Sequence, residues 1–490
     1  MKKLIPVVAA LAMAGCRTVD DVIVDYRANI SGGNYAAAAK EPEELAAKEN
    51  GDRLMWRLMA ASAYDLSGET EKALDNFDVA EDIMIANDRT SVFGQTAAAA
   101  NAMMLNDRFF PYDGGGQDRI FTCLYKAVGY GTRSDFDAAR TELNRAAQHQ
   151  ENWLWERRKD LAAADERMDK EAAAYAKEKS EGNSSGDGQS TGVAVQNAMK
   201  DGSFATTVKE YFMFDIFTSG VLDSLKPADY QNPYAAHVCG VFRWLNGDGD
   251  GRGYLRDAAA LRPQNSFARR DFSSCDQGWK PKNQVWVYVE DGLCPEREQQ
   301  RIDLPLLLIP YAGRYVKYAG LCLPRLLVRP AAALSWTAAG VNLEQLADVD
   351  ALAKIEYDVY MRGAIKREIT RTVVDVGVQV ALGVAAEESL RRHNEKRDGG
   401  LPTEYYALKA SQYAVAAYSM ARRGADTRCW SALPKSVYVA RVARPADGVL
   451  EIRADGTPAV QVNLKPGNSM VFVRKPSRAA APSVKVVSWP

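Results

Sequence analysis

One-signed charge is missing from this chain. Its 62 Lys+Arg stand against 63 Asp+Glu in 490 residues, a formal net charge of −1. That balance gives no case for a nucleic-acid partner, or for a strongly acidic or basic one. Histidine is scarce, with His149, His237 and His393 the only three. They lie far apart, so none is expected to serve as a catalytic base. His149 and His393 end charged helical stretches, where a cation suits the helix C-terminus. His237 sits in the apolar run Ala235–Val241 and reads as a core group. There is no G-x-S-x-G, no Walker loop, no dinucleotide fingerprint and no H-E-x-x-H. Those enzyme classes therefore have no motif here, no catalytic residue is assigned and no cofactor is expected. The seven cysteines include no C-x-x-C pair, which argues against zinc.

What is present begins at the N-terminus. Met1–Lys3 is basic, Leu4 to Ala14 is apolar and rich in small residues, and Met13-Ala14-Gly15-Cys16 follows. This is the layout of a bacterial secretory signal ending at a cysteine that can be acylated. The apolar stretch is shorter than the roughly 20 residues that span a bilayer. Cys16 is therefore the expected lipidation site and first residue of the mature chain. Several acyl chains, at about 0.8 kcal/mol per buried CH₂, give stable anchoring. Arg17 follows where an Asp would resemble an inner-membrane retention signal, which points to the outer membrane and a body facing the periplasm.

An exported body permits disulfides. Cys275 with Cys294, or Cys294 with Cys322, could bridge if a turn brings them together. Cys123 and Cys239 sit in apolar helical patterns and read as buried thiols.

Residues 17 to about 175 read as successive helices, with small and aromatic residues at spacings of three and four. Gly68–Ala73, with Ala61, Tyr64, Phe77 and Ala80 around it, is echoed by Ser134–Ala139 with Ala127, Tyr130, Leu143 and Ala146. Ser31–Tyr35 fits an earlier, divergent unit. A third echo has Phe242 before the turn Asn246–Arg252, then Leu255, Ala258 and Pro263. These offsets resemble the tetratricopeptide helix-turn-helix unit, whose copies stack because one alone cannot bury its apolar face. Generic helical hairpins give the same offsets. Ser180–Gly188 is poor in apolar residues and reads as a linker or disordered loop.

From Gln284 the pattern changes. Val285-Trp286-Val287-Tyr288-Val289 is a strand by composition, and Glu290-Asp291-Gly292 is its turn. Residues 343–395 and 403–423 return to helix, the latter carrying Tyr405, Tyr406, Tyr413 and Tyr418. The tail is β: Val437–Val442, Val449–Arg453, Ala459–Leu464 and Ser469–Val473, separated by Asp-Gly and Pro-Gly turns. From Val374 to Val384 hydrophobic and small residues alternate strictly, as in a strand, yet the flanks favour one continuous helix. A membrane-inserting strand is the sharper alternative for that segment.

Three strings carry candidate chemistry. Asn246-Gly247-Asp248-Gly249-Asp250-Gly251, with Asp257 at the twelfth position, matches a calcium loop in outline. It departs from one by Asn at position 1, Gly253 at position 8 and the short Asp at position 12. The same residues suit an inter-helix turn without any metal. Glu290-Asp291 ends a strand, where paired carboxylates could do acid–base work. Asp426-Thr427-Arg428-Cys429-Trp430 could anchor helix to sheet through an ion pair and an aromatic ring.

Taken in order, Asn232-Pro233-Tyr234-Ala235, Val289–Pro295 with Arg297, Ile302 and Leu304-Pro305, and Asp426–Trp430 with Leu433-Pro434 add to the N-terminal cysteine motif. Together they resemble an uncharacterised family of bacterial lipoproteins with tetratricopeptide-like N-terminal halves. The resemblance covers about residues 20 to 475. It implies an envelope protein of unknown activity. Genes of that family often neighbour lipoprotein activators of penicillin-binding proteins, which implies a link to cell-wall synthesis. It supplies no catalytic residues, and an insertion near 180–195 is not typical of it.

The expected architecture is α+β, mainly α. A signal peptide covers 1–15 and a lipidated tether 16–30. A tetratricopeptide-like domain covers 31–265, with a disordered insertion at 175–200. A mixed region follows at 280–425 and a small antiparallel β tail at 426–490. The expected function is a lipid-anchored periplasmic scaffold whose helical repeats present a concave surface to an envelope protein. The alternative is a glycan-binding protein or envelope enzyme acting near Glu290-Asp291.

Overall fold

The computed structural model describes residues 18–48, 50–93, 108, 111–152, 210, 227–303, 315–395 and 401–489. Cys16, the signal segment and the 175–200 insertion lie outside the described residues.

The fold is α+β and mainly α. It opens on α1 (Val19–Gly32), which a reciprocal cap starts: Thr18 accepts from the Asp21 amide and Asp21 accepts from the Thr18 amide. Val22, Ile23, Tyr26 and Ile30 bury one face of α1. The described part of the expected 16–30 tether is therefore a packed helix. Its apolar residues recur at helical spacing and find a core.

Next come α2 (Tyr35–Ala46), α3 (Arg53–Ser67), α4 (Thr70–Phe93), α5 (Gly116–Thr132) and α6 over 136–152. Then follow α7 (Pro233–Asn246), α8 (Gly251–Leu261) and α9 (Ser266–Asp276). The four turns legible in the sequence join α1 to α2, α3 to α4, α5 to α6 and α7 to α8. Gly33, Gly68 and Gly247 close three of them at φ of 78°, 86° and 80°, the left-handed region that glycine enters without strain. Gly240 sets the approach of α7 and α8, since a Cβ there would lie 2.7 Å from Leu255 Cγ. The structure shows helical hairpins. Their tetratricopeptide character is not established by it.

The main sheet has five strands, in the order β11-β10-β1-β7-β6. Its members are β1 (Gln284–Asp291), β6 (Glu344–Asp348), β7 (Ser436–Ala443), β10 (Asn468–Lys475) and β11 (Ser483–Trp489). The tail strands β7 and β10 flank β1, so the 280–425 and 426–490 segments share one sheet. β1 and β10 run parallel, whereas the tail strands that pair with one another, β8 with β9 and β10 with β11, do so antiparallel, as their short turns predict. The central strand β1 is buried along nearly its whole length, which is why it reads as an unbroken β-branched and aromatic run. A four-stranded sheet, β5-β4-β8-β9, joins β4 (Trp336–Ala338) and β5 (Val341–Asn342) to β8 (Val449–Ala454) and β9 (Val460–Asn463).

One apolar core runs from Val22 on α1 through the helices to Trp489 on β11. Phe136 stacks on Trp489 at 5.2 Å, and Trp430 lies 5.9 Å from both Phe77 and Tyr125. The sheet thus packs directly on the helical layer across this contact.

A second apolar cluster forms apart from this core. The ribbon of β2 (Glu296–Asp303) and β3 (Gly320–Leu327) packs on α10 (Val349–Glu395) through Leu321, Leu323, Tyr357, Met361 and Ile365. Val374–Val384 lies within α10 and is helical. α11 (Thr403–Arg422) runs back along α10, with Ser389 bonded to Glu404 and Gln379 to Gln412. α10 is long and apolar enough to cross a membrane by length and composition alone.

Candidate functional site

Glu290 and Asp291 are consecutive on β1, so they point to opposite sides of the sheet. Both are buried, at 3 % and 0 % exposure. Glu290 accepts from Tyr125 Oη at 2.8 Å and Tyr234 Oη at 2.9 Å. It also pairs with Arg474 Nε at 3.0 Å, across the β1–β10 register. Arg474 reaches Asp65 at 2.7 Å, and Lys485 closes on the same carboxylate. The guanidinium lies 4.1 Å from the Tyr125 ring centroid. Two carboxylates thus face two cations around a cavity of about 10 Å³, room for roughly one water. Burial pushes Glu290 up, with Arg474 opposing it. Burial also acts to raise Asp65, but Lys485 and Arg474 together hold it below its ordinary value. On the other side, Asp291 accepts from the amides of Ala332 at 3.2 Å and Ala333 at 3.0 Å, and from Trp336 Nε1 at 3.1 Å. Both carboxylates are engaged by the protein's own donors.

His237 is fully buried between Tyr288 Oη at 2.9 Å and Asp271 at 3.1 Å. Asp271 also takes Trp286 Nε1 at 2.8 Å and Arg441 at 2.6 Å. The chain is closed and ties α7 and α9 to β1 and β7. His149 differs from expectation, because burial and then the Arg119 charge lower its pKa and favour the neutral ring. His393 ends α10, with its Nε2 buried.

The calcium-like string does not converge. Asn246 Oδ1 accepts from Trp489 Nε1 at 3.0 Å, and its amide donates to the Phe242 carbonyl at 2.9 Å. Asp248 pairs with Arg140 at 3.0 Å, Asp250 with Arg243, and Asp257 with Arg256 at 3.0 Å. Three carboxylates thus serve three different arginines. Gly251 is required by packing, since a Cβ there would lie 2.9 Å from the Trp244 nitrogen. Among the described residues, the group spaced for a metal is Glu81, Cys123 and Glu142. A cation of the protein already holds it: Lys126 Nζ lies 3.0 Å from Glu142 and 2.8 Å from Asp78, and also binds Glu81. Burial keeps the Cys123 thiol protonated. These residues do not fit a metal.

The six described cysteines are free. The expected bridges from Cys294 do not form. Its sulfur instead sits 3.7 Å from the Trp430 carbonyl, inside the core. Cys123 and Cys239 are buried thiols. At the 426–430 string, Arg428 grips Asp426 at 2.7 and 2.9 Å and reaches Asp52 at 2.8 Å. Trp430 Nε1 donates to Ser62 at 2.7 Å, pinning this junction to α3.

Sequence reasoning missed one cluster. Glu356 on α10 accepts from the Gln117 amide at 2.7 Å and from Tyr230, at the N-terminus of α5. Asp118 lies beside it, held by Tyr112 Oη at 2.5 Å and the Gly115 amide at 2.9 Å. Burial, and then the Asp118 charge, push Glu356 up to about 7. A Cβ on Gly115 would lie 2.2 Å from the Glu356 carboxylate, so glycine is the residue that admits it. Nothing in the local sequence marks a pair separated by more than 200 positions.

Comparison with protein families, with curated proteins and with solved structures finds no match to this chain. The lipoprotein resemblance rests on the ordered strings and the N-terminal cysteine motif alone.

Proposed function

We propose that this chain is a lipid-anchored scaffold of the bacterial envelope, held at Cys16 on the outer membrane and facing the periplasm. The observation that carries this reading is the Met13–Cys16 motif placed immediately before a folded body. α1 begins at Val19, behind the cap on Thr18. Only Arg17 separates the acylated residue from that cap. At about 3.5 Å per residue, the anchor holds the body directly against the bilayer. Asp20 sits at this start, paired with Arg108 at 2.7 Å and bonded to Thr427 at 2.7 Å, so the base of the body is rigid next to the anchor.

A scaffold reading is supported by where the polar chemistry goes. The carboxylates of β1 and the buried histidine bind elements of the protein to one another. An acid–base role near Glu290-Asp291 would need a carboxylate open to a substrate, and both are buried against protein donors. Incorporation of labelled palmitate tests the anchor. The parent chain is expected to take up label and fractionate with membranes, and Cys16→Ser to do neither. A Cys16→Ser chain that fractionates like the parent contradicts the reading.

A further inference from the structure

α11 is polar inside and apolar outside. Toward α10 and the body it buries Gln412, Ala416 and Ser419, at 0 %, 6 % and 1 % exposure. Away from them it exposes Tyr406 at 57 %, Tyr413 at 59 % and Met420 at 45 %. These three stand seven residues apart. Beside them runs an exposed alanine series, Ala407, Ala410, Ala414, Ala417 and Ala421, with spacings of three and four. From Tyr405 to Ala421 the single charged residue is Lys409, which lies on the packed side, its ammonium 5.9 Å from the Tyr405 ring.

A seven-residue period is what helix-on-helix packing imposes, because it keeps a seam facing the same partner turn after turn. Alanine along the seam lets two backbones approach closely, with the longer side chains at its flank closing over the contact. α11 itself brings no charged side chain to the alanine seam, and a flanking cation, Lys317 Nζ, lies 5.5 Å from the Tyr413 ring, so two copies meet along the alanines without like-charge repulsion. Two tyrosines at this exposure, a methionine and the alanine seam offer on the order of 600 Å² per copy. Two copies together reach about 1,200 Å², the lower bound of stable specific interfaces.

We propose that this face of α11 packs against α11 of a second copy of the same chain, as a close helix pair seated on the alanine seam. The proposal does not rest on acylation. Its test is disulfide trapping in the full chain, in native membranes and again with Cys16→Ser in solution. Ala414→Cys stands at the centre of the seam, and Ala416→Cys on the packed side is the control. A disulfide needs the two Cα atoms within about 7 Å, which only a closely packed seam supplies. Mild oxidation is expected to give at least tenfold more two-chain product from Ala414→Cys than from Ala416→Cys, with or without Cys16. Equal yields at the two positions overturn the proposal. So does quenching of a fluorophore at residue 414 by brominated acyl chains without any two-chain product, which assigns the face to the bilayer. Loss of membrane fractionation in Cys16→Ser leaves the trapping result unchanged, so the anchor and the seam fail separately.

Discussion

The body and the α10–α11 arm bury opposite things. In the body, Trp56, Trp286, Trp430 and Phe77 are at most 1 % exposed, and the larger charged groups inside are paired across elements. In the upper arm, Asp375, Gln379, Gln412 and Ser419 are inside, while Val378, Val384, Tyr406 and Tyr413 are exposed. An ordinary solvent-facing helix reverses that order. The body is finished as a single chain, whereas the arm presents apolar surface to a neighbour.

The largest test falls on the body. Trp430→Ala removes a ring packed against Phe77 and Tyr125 and takes one donor from the Ser62 hydroxyl. It is expected to cost about 3–5 kcal/mol in denaturant unfolding. A loss near zero would mean that the helical layer and the sheet are not one core.

The arm makes the complementary test. Gln379 accepts from the amides of Lys317 at 2.7 Å and Tyr318 at 3.1 Å, and donates to the Tyr318 carbonyl at 2.8 Å. Gln379→Leu leaves all three buried or half-buried backbone groups without that partner. The expected cost is about 2–3 kcal/mol, although the substitution adds apolar volume. A rise in the thermal midpoint would show that the polar interior of the arm contributes nothing.

Where α10 meets α5, burial pushes Glu356 up to about 7 in the folded chain, against 4.5 unfolded. Between those values the folded state keeps a proton that the unfolded state has lost. Stability is therefore full below pH 4.5 and falls as pH rises through 7. Glu356→Gln is expected to remove a pH-dependent change on the order of 3 kcal/mol across that window, read as the difference between its pH–stability curve and the parent's. Identical curves would contradict the assignment.

The smallest effect belongs to the seam. Tyr406→Ser with Tyr413→Ser is expected to change single-chain stability by less than about 0.5 kcal/mol, because neither ring is part of the core. A larger loss in unfolding at dilution would place those rings inside the fold.

The local features were legible. Glycines at Gly33, Gly68 and Gly247 marked helix turns, and the Val285–Val289 run marked the central strand. The Asp426–Trp430 string was an ion pair and an aromatic anchor. Pairings across distance were not. That β10 lies parallel beside β1, or that Asn246 receives Trp489 Nε1, depends on the whole chain closing. The 246–257 string was ambiguous because a calcium loop and a glycine-rich helix turn use the same residues. What separates them is whether the carboxylates converge or turn outward to arginines. The alternation at Val374–Val384 was ambiguous because small residues between valines suit a strand and a tightly packed helix equally. In α11 the tyrosines were visible, but which of them faced outward was set by packing on α10.

Sedimentation of the full chain with Cys16→Ser, at micromolar concentration and without acyl groups, tests the central claim most directly. A species of two chains is expected, converted to one chain by Tyr406→Ser with Tyr413→Ser. A parent that sediments as one chain, or a pair indifferent to those substitutions, would contradict the account.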